Sequence, residues 1–242
     1  MIAFRSIVFS AVLSGLIVGC LVTGVQRLAT IPLIQQAEVY ERQSEAGGYA
    51  NDHTASAPAA PAARDHEHEH GQAAWEPADG FERTAYTALF NVVDWIGFGL
   101  LLNGAIVLLR RPADWREGML WGLGAFVAFV IAPAIGLPPE LPGEPAAPLL
   151  QRQMWWVDTV AATAAGLGLI AFRRSLVGAV LGIALLIAPH LIGAPQAEHG
   201  DSLTTQELTR QFIVAVTVSA LPCWALLGAL TGYFYRRFSQ AA

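Results

Sequence analysis

The fold class this sequence predicts is an all-α integral membrane protein with about six transmembrane helices and one long, histidine-rich extracytoplasmic loop. Two observations carry that expectation. Of 242 residues, 54% are hydrophobic and only 14% charged, which is too apolar for the surface of a water-soluble domain. The apolar residues also gather into runs long enough to cross about 30 Å of hydrocarbon, roughly 20 residues at the helical rise. The net charge of −5 adds little, because the acids fall mostly between the runs.

Taken in order, an uncharged run from Ser6 to Gln26 makes the first span. Ile17-Val18-Gly19-Cys20 loosely resembles a lipoprotein cleavage box, but the apolar run continues past Cys20, which favours a retained signal-anchor helix. Thr84 to Leu109 makes the second span if it tolerates Asp94, and Gly118 to Pro139 the third. Met154 to Phe172 makes the fourth if it tolerates Asp158, Ser175 to Ala197 the fifth, and Gln211 to Tyr235 the sixth. The chain thus divides into a first helix over 1–30, a flexible loop over 31–83 and a five-helix bundle over 84–242. Within the bundle, Asp94-Trp95 and Trp156-Val157-Asp158, the arginine pairs Arg110-Arg111 and Arg173-Arg174, and the Ala-Pro steps at Pro133 and Pro189 read as two weakly similar hairpins plus a final helix. Repeated bundles with interrupted helices are common in transporters; ordinary hairpins also end in arginine and proline.

The chain has no lysine, so arginine alone sets the orientation. Arg5, the group Arg110, Arg111 and Arg116, the pair Arg173 and Arg174, and the pair Arg236 and Arg237 all fall on one side when six spans are counted. Both termini are therefore expected in the cytoplasm, with the long loop periplasmic to a bacterial inner membrane. Glu140, Glu144, Glu198, Asp201 and Glu207 fall on the outer side.

That loop carries Asp65, His66, Glu67, His68, Glu69 and His70 in unbroken alternation. Imidazole nitrogen beside carboxylate oxygen suits divalent cobalt, nickel, zinc and copper, so the tract is a candidate capture site. The competing reading is a solvated charged run, and the flanking Ala57-Pro58-Ala59-Ala60-Pro61 is linker-like. A loose tract follows the Irving-Williams order and does not select cobalt, so selectivity has to arise elsewhere.

Inside the membrane, Asp94 sits near mid-depth, about 15 Å into its span. An acid there costs about 2.5 to 3.5 kcal/mol to insert, so it is expected to face a partner, water or an ion. Asn91 lies one turn away on the same face. Asp158 is shallower, and its role is interfacial or coordinating. His190 follows Pro189, which removes a backbone donor and frees a carbonyl in the preceding turn, so this helix end offers imidazole and carbonyl ligands; an interfacial histidine closing a helix is the alternative. Glu140, in a proline-rich turn, joins the route or is simply solvated. Trp75, Trp155, Trp156 and Tyr86 are expected as headgroup anchors, and Cys20 and Cys223 as packing residues without a disulfide. Glycines 166, 168, 178 and 182 permit close helix contacts. No nucleophile with an adjacent base, HExxH motif or phosphate-binding loop is present, which argues against an enzyme and against ATP hydrolysis; nothing suggests nucleic acid as a partner.

Three stretches carry a family resemblance: Trp75 to Thr84 (WEPADGFERT), Ala132 to Gly143 (APAIGLPPELPG) and Ala188 to Gln196 (APHLIGAPQ). Together they resemble the CbtA family of predicted bacterial cobalt transporter subunits, whose members are often described with five spans. The resemblance implies delivery of Co2+ for cobalamin synthesis, without a prosthetic group, and a CbtB-like partner, a small single-span membrane subunit bearing histidines. The motif positions Glu82, Pro133, Pro139, Pro189 and His190 carry over from it. The resulting expectation is a permease subunit for divalent metal, cobalt first with nickel or zinc as alternatives, using the loop tract for capture and Asp94 and His190 for passage. A non-transporting scaffold or metal-sensing subunit is the alternative.

Overall fold

The computed structural model describes residues 2–52, 77–78, 80–110, 114–197 and 202–240, and the regular structure among them is entirely helical. The elements are α1 (Ile2–Ala29), α2 (Ile31–Asp52), α3 (Phe81–Leu108), α4 (Trp115–Phe126), a π-helical stretch Val127–Ile131 that leads into α5 (Ala132–Gly136), α6 (Leu149–Phe172), α7 (Leu176–Ile192) and α8 (Gln206–Gln240). Among the described residues, five segments are long and apolar enough to cross a membrane: Phe4–Ala29, Phe81–Leu108, Trp115–Gly136, Leu149–Phe172 and Gln206–Gln240. The remaining expected span, the fifth, is α7, whose 17 residues place it at the short limit. The sequence run continues to Ala197, but Gly193 adopts φ 89° and turns the chain out of the helix.

Small residues decide which helices pair. On α1, Gly15 and Gly19 lie against the backbone of Ile96 and Val92 of α3, and Gly99 of α3 answers against Ala11. On α4, Gly118 and Gly122 meet Gly228 and Gly232 of α8, so a Cβ at any of the four would strike main chain across the interface. Gly166 of α6 and Gly182 of α7 are mutual, each with the other's carbonyl oxygen 2.7 Å from where a Cβ would stand. Such approaches trade side-chain bulk for main-chain van der Waals contact, the main source of helix association where lipid is as apolar as the core. Gly168 and Gly178, by contrast, have neighbours only within or beside their own helices.

These pairings correct the expectation of two similar hairpins. α6 and α7 do form one, but α3 packs on α1 and α4 on α8, while α3 and α4 scarcely touch. The glycines account for it, since Gly97, Gly104 and Gly124 face open space. Trp224 of α8 fills the centre, with Phe98 at 4.7 Å, Trp95 at 5.3 Å and Phe129 at 5.5 Å between ring centroids. That aromatic cluster holds together three helices whose backbones do not all meet.

The described arginines of the four groups gather at one end of the bundle. Asn103 of α3 donates to Ser10 of α1, Phe9 packs on Phe238, Gly232 lies against Asp114, and Trp121 stacks on Phe172. Each contact joins helix ends that carry Arg5, Arg110, Arg116, Arg173, Arg236 or Arg237.

At the opposite end the structure revises the reading of 31–83 as unstructured loop: its first 22 residues form α2. Leu33, Ile34 and Ala37 pack against Leu141, Leu208 and Phe212, and Glu38 pairs with Arg83 at the start of α3. The glutamate- and glutamine-bearing sequence conceals this helix from a hydropathy reading, because only a narrow stripe is apolar. The tract Asp65, His66, Glu67, His68, Glu69 and His70 lies outside the described residues.

Candidate metal path

Asp94 stands midway along α3 on its exposed side, while its neighbour Trp95 is buried in the aromatic cluster. It has no hydrogen bond or ion pair among the described residues. The expected companion, Asn91, turns the other way and donates to Thr23 Oγ1 at 3.0 Å and Gln26 Oε1 at 2.7 Å on α1. Asp158 is likewise exposed, beside Met154 and Val157 on α6.

His190 occupies the last turn of α7, and its Nδ1 is buried without a hydrogen-bond partner. Its ring meets Trp155 edge-on at 6.0 Å. The carbonyl of Pro189 accepts from Trp155 Nε1 at 3.3 Å and from Gly193 N at 3.1 Å, so this main-chain oxygen is engaged. Trp155 is therefore a buried strut between α6 and α7 and not the headgroup anchor expected from its position. Its indole N–H had an internal acceptor that only tertiary structure supplies.

The same end holds two acids of the proline-rich segment. Glu140 pairs with Arg152 at 2.7 Å, and Glu144 accepts from Thr204 at 3.0 Å and from Leu141 N at 3.1 Å, with Thr209 as a further donor. Glu140 is thus half of an ion pair that ties the segment to α6. Pro133 belongs to the break at α5: Ala132 N reaches back five residues to Val127 O, the wide turn that precedes a residue without an N–H.

Sequence reasoning missed a set of buried side-chain oxygens. Ser10, Ser14, Asn103, Thr163 and Thr231 are fully buried, and Ser14 Oγ, Asn103 Oδ1, Thr163 Oγ1 and Thr231 Oγ1 have no hydrogen-bond partner. Asn103 Nδ2 donates to Ser10 Oγ at 2.6 Å, so its carbonyl oxygen is the free half of the amide. The four-residue spacing of Ser6, Ser10 and Ser14 was the available signal. Cys223 is buried as expected, but Cys20 is exposed.

The structure does not bring Asp94 and His190 together, because α3 and α7 share no contact. No cluster of three or more histidine, cysteine, aspartate or glutamate side chains suited to a metal occurs among the described residues. What the fold defines is a multi-pass helical membrane protein with scattered polar groups inside an apolar bundle. One protein family accounts for nearly all of it: the model described as "Probable cobalt transporter subunit (CbtA)" matches residues 4–236, and the chain belongs to that family. No curated protein and no solved structure matches the chain.

Proposed function

We propose that this chain is the permease subunit through which a divalent transition metal, cobalt first, crosses a bacterial inner membrane to supply cobalamin synthesis. The family match across residues 4–236 is the observation that carries this reading. In it, both termini lie in the cytoplasm, the loop with His66, His68 and His70 concentrates ions outside, and Asp94 and His190 exchange ligands with the passing ion. Each site binds weakly enough to release the ion onward. The scattering of Asp94, His190 and the buried oxygens over helices without a shared centre supports a path completed by another chain, such as a CbtB-like single-span subunit. The same scattering favours the alternative of a scaffold subunit that binds but does not conduct.

Uptake of radioactive cobalt, with nickel and zinc as competitors, in cells expressing the chain with and without such a partner, separates the two. Cobalt accumulation selective over zinc is the expected result. Absence of accumulation in both strains, with the protein present in the membrane, would overturn the permease reading in favour of the scaffold.

A further inference from the structure

A largely apolar groove of about 650 Å³ runs between α3, α4 and α6, lined by Leu101 and Ala105 of α3, Leu120 and Gly124 of α4, and Ala164 and Leu167 of α6, with Glu117 at its arginine-bearing end, far from mid-depth. It exists because the α6–α7 hairpin is fastened to the rest chiefly through the π-helical stretch and α5, near the end away from the arginines, and α3 does not touch α6. Phe98, Leu101, Ala105 and Leu109 of its α3 wall lie 4, 7, 11 and 15 residues beyond Asp94, the spacing of one helical face. Asp94 therefore heads this stripe, one turn beyond Phe98. Together the groove and Asp94 extend about 22 Å along α3, most of the hydrocarbon thickness.

We propose that this groove receives a transmembrane helix of a partner subunit, which brings a basic side chain to Asp94 at mid-depth. An acyl chain would fill the apolar walls but leave the carboxylate facing hydrocarbon, at the cost of inserting an acid without a partner. A second copy of this chain has no suitable group, because it lacks lysine and every arginine in its candidate spans lies near a helix end. Between passages of the ion, Asp94 thus calls for a cation at mid-depth, which no candidate span of this chain carries among the described residues. Asp158 does not compete for the same helix: it lies about 100° around α6 from the groove-lining residues and some 9 Å along the helix from Arg152. The proposal depends on the subunit reading only for the existence of a partner, and its test does not measure transport.

The test uses the full-length chain in lipid vesicles, labelled with a donor fluorophore, and two acceptor-labelled synthetic helices of about 24 leucine and alanine residues, one with a single central arginine and one without. Energy transfer is expected to show the arginine helix binding about tenfold more tightly than its apolar twin, the scale of one intramembrane polar pairing. Asp94→Asn should erase that difference, Asp158→Asn should leave it, and Ala164→Trp should weaken both helices by obstructing the groove. Asp94 and Ala164 are both exposed, so these variants can be compared as folded proteins. Equal binding of the two helices, or loss of the preference in Asp158→Asn, would overturn the role of Asp94. Indifference to Ala164→Trp would overturn the groove as the seat. Transfer between differently labelled copies of the chain that Ala164→Trp abolishes would make a second copy the occupant and overturn the partner helix. Failure of both helices to bind would overturn the proposal outright.

Discussion

Gly118 of α4 and Gly228 of α8 meet main chain to main chain, so that a Cβ on either would strike the carbonyl oxygen of the other. This contact, flanked one turn to either side by Gly122 against the carbonyl of Trp224 and Gly232 against that of Asp114, fixes α4 to α8 and leaves one side of α4 free to wall the groove against α3 and α6.

Gly118→Val or Gly228→Val should therefore destabilise the bundle by about 2 kcal/mol or more, since the obstructing atoms are backbone and have no rotamer to yield. Gly97→Ala and Gly124→Ala, where an added methyl meets open space, should cost less than about 1 kcal/mol or stabilise slightly through helix propensity. Thermal unfolding of purified protein, followed by fluorescence-detected gel filtration, measures both. Equal losses in the two pairs would mean that the α4–α8 approach is looser than described.

Asn103 offers a way to separate packing from function. Its Oδ1 is buried without a partner, and Ser10 Oγ, which accepts from its amide, also donates to Ile7 O. Ser10 Oγ keeps its bond to Ile7 O when the amide is replaced, so no buried donor is stranded and an apolar residue of similar size costs no more than about one hydrogen bond. Asn103→Leu should accordingly leave the unfolding midpoint within the range expected of about 1 kcal/mol. If the free oxygen serves passage of an ion, cobalt uptake should fall several-fold in the same variant. Unchanged uptake would remove Asn103 from the path and leave it as a link between α1 and α3.

How far the sequence reveals the molecule depends on the range of the interaction that decides each feature. The positions of the apolar helices and the arginine-rich end are legible because hydrophobic length and charge act locally along the chain. Which helices pair is not, since the close approaches of Gly15, Gly118 and Gly228 require a partner surface that periodicity does not specify. Trp155 reads as an anchor until Pro189 O is seen to accept its N–H, and α2 reads as linker until Leu141, Leu208 and Phe212 cover its narrow apolar stripe. Asp94 and His190 are conspicuous in sequence, but their separation on α3 and α7 is a tertiary fact.

The histidine-acid tract makes a distinct prediction, because capture and passage affect different kinetic quantities. If the tract captures ions as proposed, deleting Asp65 to His70 removes ligands that raise local ion concentration without removing any residue of the described helices. The cobalt concentration for half-maximal uptake should rise by roughly tenfold, the scale of losing one weak binding equilibrium, while the maximal rate holds. Complete loss of uptake, with the protein still in the membrane, would assign the tract to the permeation site itself.

The separation of Asp94 from His190 predicts how their substitutions combine. Residues that share a coordination sphere are coupled, and removing the second then costs little more once the first is gone; residues far apart with no common partner act independently. With α3 and α7 out of contact, the fractional losses in cobalt uptake from Asp94→Asn and His190→Ala should multiply in the double variant, to within a factor of about two. Initial rates, normalised to protein in the membrane, provide the comparison. A double variant no worse than the weaker single one would mean that the two groups meet around one ion during transport, and would require α3 and the α6–α7 hairpin to close on the groove that now separates them.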